Sequence, residues 1–345
     1  MSFQAASFWP RKEGYVGAKV CATCHPGEYK SQSQSNHANA LHPASTIERL
    51  EIPAGSAVES SEAEAARFEF RKSSAGYSVT VSLGGEQKQI PIDWVFGAAD
   101  QGYTFFSRLS PGQFLEHRLS YYKRKPGFDI TPGQRTHTSS SVEEAVGIHL
   151  SPMEAFRCLR CHSTYLKQTP DGPDFSSVVP GVTCERCHGP GAAHVNAIKS
   201  GASDRRILNP GKLSGDELLL MCGECHRAEP PPGMLFDDPV VTRFQPVGLQ
   251  MSACFQKSNG GIACTTCHDP HENVRRNAND FYNQRCVNCH NRAAPRRCKV
   301  QPVGECVSCH MPKTRPLPHM SFTDHWIRVV SASAGVGKKA REDER

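Results

Sequence analysis

The chain has 345 residues, 38% of them apolar and 21% charged, with 28 glycines, 25 prolines and a formal charge of +6. No run approaches the ~20 apolar residues that a bilayer-crossing helix needs, which excludes a transmembrane segment. Sixteen cysteines and sixteen histidines mark it out, and their spacing organises everything that follows.

The N-terminus MSFQAASFWPRKEGYVG lacks the charged, apolar and small-residue regions of a signal peptide, as expected of a mature or trimmed chain. Residues 1–60 form a first segment around Cys21-Ala-Thr-Cys24-His25, a CxxCH pentapeptide. On a helical turn, residues three apart share a face, so two thiols can form thioethers along one porphyrin edge while the next histidine becomes the proximal iron ligand. A zinc site or a thioredoxin-like pair needs no histidine at that position. His37, twelve residues past His25, is the preferred distal candidate here, with His42 as the alternative.

Residues 61–125 change character. RFEFRK, YSVTVSL, QKQIPIDWVF, GYTFFSRL and FLEHRLSYY alternate apolar and polar positions between SSAG, GGEQ, GAADQ and SPGQ turns, which predicts a small antiparallel β-insert. His117 shares a face with Leu115 and Leu119, as a buried core histidine or a ligand. Residues 126–150 read as a proline- and glycine-marked linker.

From 151 to 328 six further motifs follow: Cys158-Cys161-His162, Cys184-Cys187-His188, Cys222-Cys225-His226, Cys264-Cys267-His268, Cys286-Cys289-His290 and Cys306-Cys309-His310. Seven motifs imply seven covalently bound haem c groups, one per about 49 residues. Ser151-Pro152-Met153-Glu154 and Ser214 to Glu217 are capping boxes that start the helices delivering the second and fourth motifs. The irregular spacing excludes a solenoid of equal repeats. Residues 329–345 read as a disordered tail. The expected fold class is mainly α with extensive irregular loops, in a multihaem architecture, plus the small β-insert.

Nine histidines remain outside the motifs: His37, His42, His117, His137, His149, His194, His271, His319 and His325. Complete bis-histidine ligation would use seven; Met251 and Met311 are alternative sixth ligands. Three extended residues cover at most about 11 Å, too little to pass round a porphyrin edge, so His271 cannot close the haem held by His268 and would serve another. His194, six residues after His188, invites the same reading. Two cysteines, Cys254 and Cys298, lie outside the motifs, and their even count in an oxidising compartment predicts a disulfide between them. Two propionates per haem contribute about −14 and seven ferric irons about +7, which brings the oxidised holoprotein near −1 and the reduced one near −8. The formal basicity therefore gives no ground for nucleic-acid binding.

PGVTCERCHGPGAAHV, ILNPGKLS, CGECHR, RFQPVGLQMSACF, CTTCHDPH and CVSCHMPK followed by His319 and FTDHWIR resemble the multihaem cytochromes of the cytochrome c-554 type, including bacterial members followed by tetratricopeptide repeats. The likeness runs from Tyr15 to Arg328. It implies His37, His194, His271, His319 and His325 as distal ligands, with His137 intermediate, while His42, His117 and His149 fall outside such positions. No tetratricopeptide repeats follow here, and the CxxCK motif of related nitrite reductases is absent.

The expected function is electron transfer along closely packed, mostly bis-histidine haems, in a periplasmic or extracellular protein whose partners are redox proteins such as other cytochromes. Whether it is also an enzyme stays open, with a carrier preferred over a catalyst. One alternative is an oxidoreductase with one open haem acting on a small nitrogen or sulfur compound. The other is self-association into a cytochrome filament, a histidine of one subunit ligating a haem of the next.

Overall fold

The computed structural model describes residues 13–53, 57–59, 66–98, 102–123, 126–135, 139–236, 238–276, 278–290 and 305–330. His137, Cys298 and 331–345, the greater part of the predicted tail, lie outside the described residues, so neither the disulfide nor that ligand is described. The fold is 33% helix and 28% strand, in several antiparallel sheets. This corrects the expectation of a mainly α protein. Strands are not confined to one insert; they recur before, after and between the motifs.

The chain divides into two compact units, residues 1–210 with Pro270–Asn273, and 211–269 with 274–345. In the first, short helices α1 (Ala18–Cys21) and α2 (Pro26–Ser33) flank the first motif. A six-stranded sheet follows the order β1-β6-β7-β8-β10, with β9 also paired to β8. Its strands are β1 (Leu41–Pro43), β6 (Trp94–Phe96), β7 (Tyr103–Ser110), β8 (Gln113–Tyr122), β9 (Gly127–Ile130) and β10 (Gly147–Leu150). The segment read as a linker thus supplies two strands and the turn of helix α3 (Val142–Ala145).

A meander of β2 (Ala57–Glu59), β3 (Arg67–Ser73), β4 (Gly76–Leu83) and β5 (Glu86–Pro91) makes a second sheet. Gly84 and Gly85, at φ 59° and 87°, form the two-residue turn that sets Leu83 opposite Glu86. The two registers of this sheet pair Phe68 with Val81, Phe70 with Val79 and Val79 with Ile90, so one face is mostly apolar, with Lys72, Glu86 and Lys88 toward its ends. It joins Phe105, Leu115 and Leu119 in the largest buried cluster among the described residues.

His117 belongs to that core. It is 2% exposed, its Nε2 lies 2.6 Å from Ser107 Oγ, and burial pushes its pKa down to about 3.

Helix α4 (Pro152–Cys161) starts on the Ser151/Glu154 capping box, the Ser151 N–H donating to the Glu154 carboxylate at 2.9 Å. Ala155 and Leu159 seat it on Leu41, Phe96, Phe106 and Phe114. The hairpin β11 (Ser163–Thr169) and β12 (Gly172–Pro180) then leads to α5 (Cys184–His188) and α6 (Ala192–Lys199).

The second unit holds α7 (Gly215–His226), capped by Ser214 and Glu217, then α8 (Gln245–Met251), α9 (Ala253–Gln256), α10 (Cys264–Cys267), α11 (Asn279–Val287) and α12 (Cys306–His310). A closing hairpin pairs β13 (Lys313–Leu317) with β14 (Met320–Thr323). The unit's described apolar core is slight: the cluster of Val241, Phe244 and Val247, backed by Met234 and Met251, with Leu218, Leu219 and Leu249 also buried. No described helix is long and apolar enough to cross a membrane.

Candidate haem-binding centres

Each motif lies on, or directly after, a short helix, as the thioether geometry requires: α1, α4, α5, α7, α10, α11 and α12 carry them in chain order. Six of these seven helices meet another of the set, while α4 packs on β8, β10, β11 and β12. Helix α1 packs on α5, α7 on α10, and α11 on both α10 and α12. The first pair is fastened by Glu185, a buried carboxylate within the third motif. It accepts the backbone N–H groups of Val16 at 2.9 Å, Gly17 at 2.8 Å and Gly191 at 2.9 Å, which offsets the cost of burying its charge. Asn283 does similar work for the last pair, its Oδ1 accepting from Val307 N–H at 2.9 Å.

Three motif histidines each face a second imidazole. His25 and His194 have ring centres 6.5 Å apart with planes 28° from parallel. His188 and His271 are 6.1 Å apart at 18°, and His268 and His325 are 6.1 Å apart at 41°. A metal–nitrogen bond of ~2 Å on each side, with ~1.2 Å from nitrogen to ring centre, puts two imidazoles on one metal about 6.4 Å apart. The residues fit an axially ligated haem iron at all three places. His271 stands opposite His188 rather than the His268 three residues before it.

The Nδ1 contacts point the same way. Those of His162, His188, His194, His310 and His325 lie 2.7–3.0 Å from the backbone oxygens of Ala40, Leu208, Arg205, Arg328 and Thr323. His37 bonds to the backbone of Pro270, which can offer only its carbonyl. An N–H spent on a carbonyl orients the ring and leaves Nε2 as the donor to a metal. Burial holds the pKa values of His37, His162, His188 and His268 below the ordinary value and pushes His325 to about 4, which favours the neutral form that a metal ligand requires.

His325 is placed by a close backbone crossing. A Cβ on Gly248 of α8 would sit 2.7 Å from Trp326 N and 2.8 Å from the His325 carbonyl carbon. Ser252 Oγ completes the clasp, donating to His325 O at 3.0 Å and accepting from Ile327 N–H at 2.8 Å.

Of the other candidates, His319 is exposed at φ 60° in the β13–β14 turn, and His226 is near enough to His325 to act on its charge. His290 is exposed at the end of the sixth motif. His42 is buried beside Tyr103, and His149 pairs with Glu143 at 3.0 Å. Sequence reasoning passed over Glu185, Gly248 and Ser252. It also passed over Phe96, whose ring meets His162 edge-on at 5.0 Å. Cys254 is half-buried among the thiols of Cys267, Cys286 and Cys289.

The family model described as cytochrome c554 and c-prime matches residues 20–74 and 121–189. No curated protein matches the sequence. Among solved structures, that titled Crystal Structure of Outer Cell Wall Cytochrome OcwA superposes with a TM-score of 0.54 at 16% identity, over 93% of this chain and 81% of that one. At that identity the likeness is one of fold.

Proposed function

Taking the chain as a c554-like multihaem cytochrome with covalently bound haem c, we propose that it is a heptahaem electron carrier whose haems are mostly closed by two histidines. The observation that carries this reading is the set of three imidazole pairs at 6.1–6.5 Å, each containing one motif histidine.

Bound haem supplies a one-electron couple at each centre. The chain's own part is to hold it. The fourteen motif cysteines, from Cys21 and Cys24 to Cys306 and Cys309, provide the thioethers. His25, His162, His188, His226, His268, His290 and His310 are the proximal ligands. His194, His271 and His325 are the distal ligands of the first, third and fifth centres, and His37, His319 and His137 are the candidates for the rest. Two histidines leave no position for substrate, which favours a carrier over an enzyme. The paired attachment helices bring neighbouring centres together in each unit.

The partners are other redox proteins. A periplasmic or extracellular setting is supported by the covalent haem chemistry and by the cell-wall location in the fold neighbour's title. Haem quantitation by pyridine haemochrome, with spin-counted low-temperature electron paramagnetic resonance of the oxidised protein, tests the reading. Seven haems, all or nearly all low-spin and inert to carbon monoxide, are expected. A substantial high-spin fraction that binds carbon monoxide would replace the carrier with an open-haem oxidoreductase.

A further inference from the structure

His271 stands opposite His188 although no described helix or strand contains it: it lies between α10 and α11, in the stretch Pro270–Asn273 that belongs to the first unit. Something other than secondary structure must fix its ring.

The fastening is visible two residues further on. Asn273 Oδ1 accepts the backbone N–H of Asn36 at 2.6 Å, and Asn273 Nδ2 donates to the Gln34 carbonyl at 3.4 Å. The side-chain amide thus stands in for a peptide group beside the turn that follows α2. The first contact is close and the second is near the limit of a hydrogen bond, so the accepting oxygen carries most of the attachment. At the start of the same stretch, the Pro270 backbone bonds to His37. Asn273 is itself exposed, so burial of apolar surface contributes little to its hold.

That turn is also tied to the approach to the third motif. His37 O accepts from Val182 N–H at 2.7 Å, and Gln32 Nε2 donates to Val182 O at 2.7 Å. Gly181 has φ 77°, and a Cβ there would lie 2.0 Å from Ala38 O, so the two backbones touch. Val182 comes two residues before Cys184, where α5 begins, and α5 ends on His188. One turn therefore grips the lead into α5 on one side and the chain after His271 on the other. Both imidazoles of the pair are referred to the same few backbone atoms.

We infer that Asn273 is a positioning residue for the third haem centre: by clamping the chain after His271 to the turn at residues 34–37, it keeps the His271 imidazole opposite His188. The inference rests on the reading of these two histidines as the axial pair of that centre. Release of the clamp lets His271 swing away and opens a position for an added ligand.

The intact holoprotein tests this in three variants, N273A, N273D and H271A. Each is followed by haem content, by low-temperature electron paramagnetic resonance of the oxidised form and by carbon monoxide binding to the reduced form. H271A identifies the low-spin signal of the third centre, because that is the signal it abolishes. In N273A, with haem content at the parent's level, the same signal should weaken and carbon monoxide uptake at that centre should rise about two- to tenfold, the effect of losing one hydrogen bond. N273D keeps the accepting oxygen and should match the parent. If N273A loses haem, N273Q, which displaces the amide by one methylene, takes its place and should weaken the same signal. A parent-like alanine or glutamine variant, or an N273D as open as N273A, overturns the inference while H271A leaves the ligation reading standing. An H271A protein that keeps every low-spin signal overturns that reading, and the inference with it.

Discussion

The assignment of His271 turns on single-residue geometry. It stands 6.1 Å from His188, while His268, three residues earlier, stands 6.1 Å from His325. On the proposed ligation, two histidines close in sequence serve different irons. His271→Ala should retain seven haems and convert one, the haem on Cys184 and Cys187, to high spin. His325→Ala should convert another, and the double variant should show two high-spin haems by spin counting. A double variant with only one would mean that both histidines serve the same centre.

At the scale of elements, position is set by a few tight crossings. The Gly248 contact with the His325–Trp326 backbone leaves no space for a methyl group. Gly248→Ala should destabilise the second unit by about 1–3 kcal/mol, the usual cost of overpacking. It should also push His325 away from His268, which carbon monoxide binding to the reduced protein would reveal. An unaltered low-spin spectrum and thermal midpoint would show that the crossing relaxes without consequence.

The elements legible in the sequence were those coded locally. The motifs announce their helices, Ser151/Glu154 and Ser214/Glu217 cap them, and alternation marks the strands from β3 to β8. What escaped notice depends on distant partners. The three residues of β1 become a strand only by lying against Trp94–Phe96, and β10 only by pairing with Phe114–His117. Pro173, Pro180 and Pro316 interrupt any strand pattern in the two late hairpins, β11–β12 and β13–β14. Prolines are tolerated at strand edges and irregularities, and both hairpins carry register shifts. The candidate centres were legible as inventory, since every motif and every histidine outside the motifs could be named. Their pairing was not, apart from the limit on His271 set by chain length.

Across the whole molecule, the two units keep themselves folded by different means. The first has an aromatic and aliphatic core between its sheets, and the second has little described apolar core of its own. By analogy with metal-nucleated domains, its attached groups then act as its interior. That division gives His117 a consequence of another kind. Its imidazole, neutral within the first unit's core with a pKa near 3, is protonated near 6.5 once the chain unfolds. The unfolded chain therefore takes up the proton first. His117 contributes nothing adverse above pH 6.5, and as pH falls from there toward 3 it increasingly favours unfolding. At pH 4.5, two units below the unfolded value, the penalty is about 2–3 kcal/mol. Thermal melts followed by the β-sheet circular dichroism signal should show a larger fall in midpoint between pH 7 and pH 4.5 for the parent than for His117→Leu; equal falls would mean that the ring is protonated in place. The acid limit of the first unit would thus be set by a histidine that stands outside all three imidazole pairs.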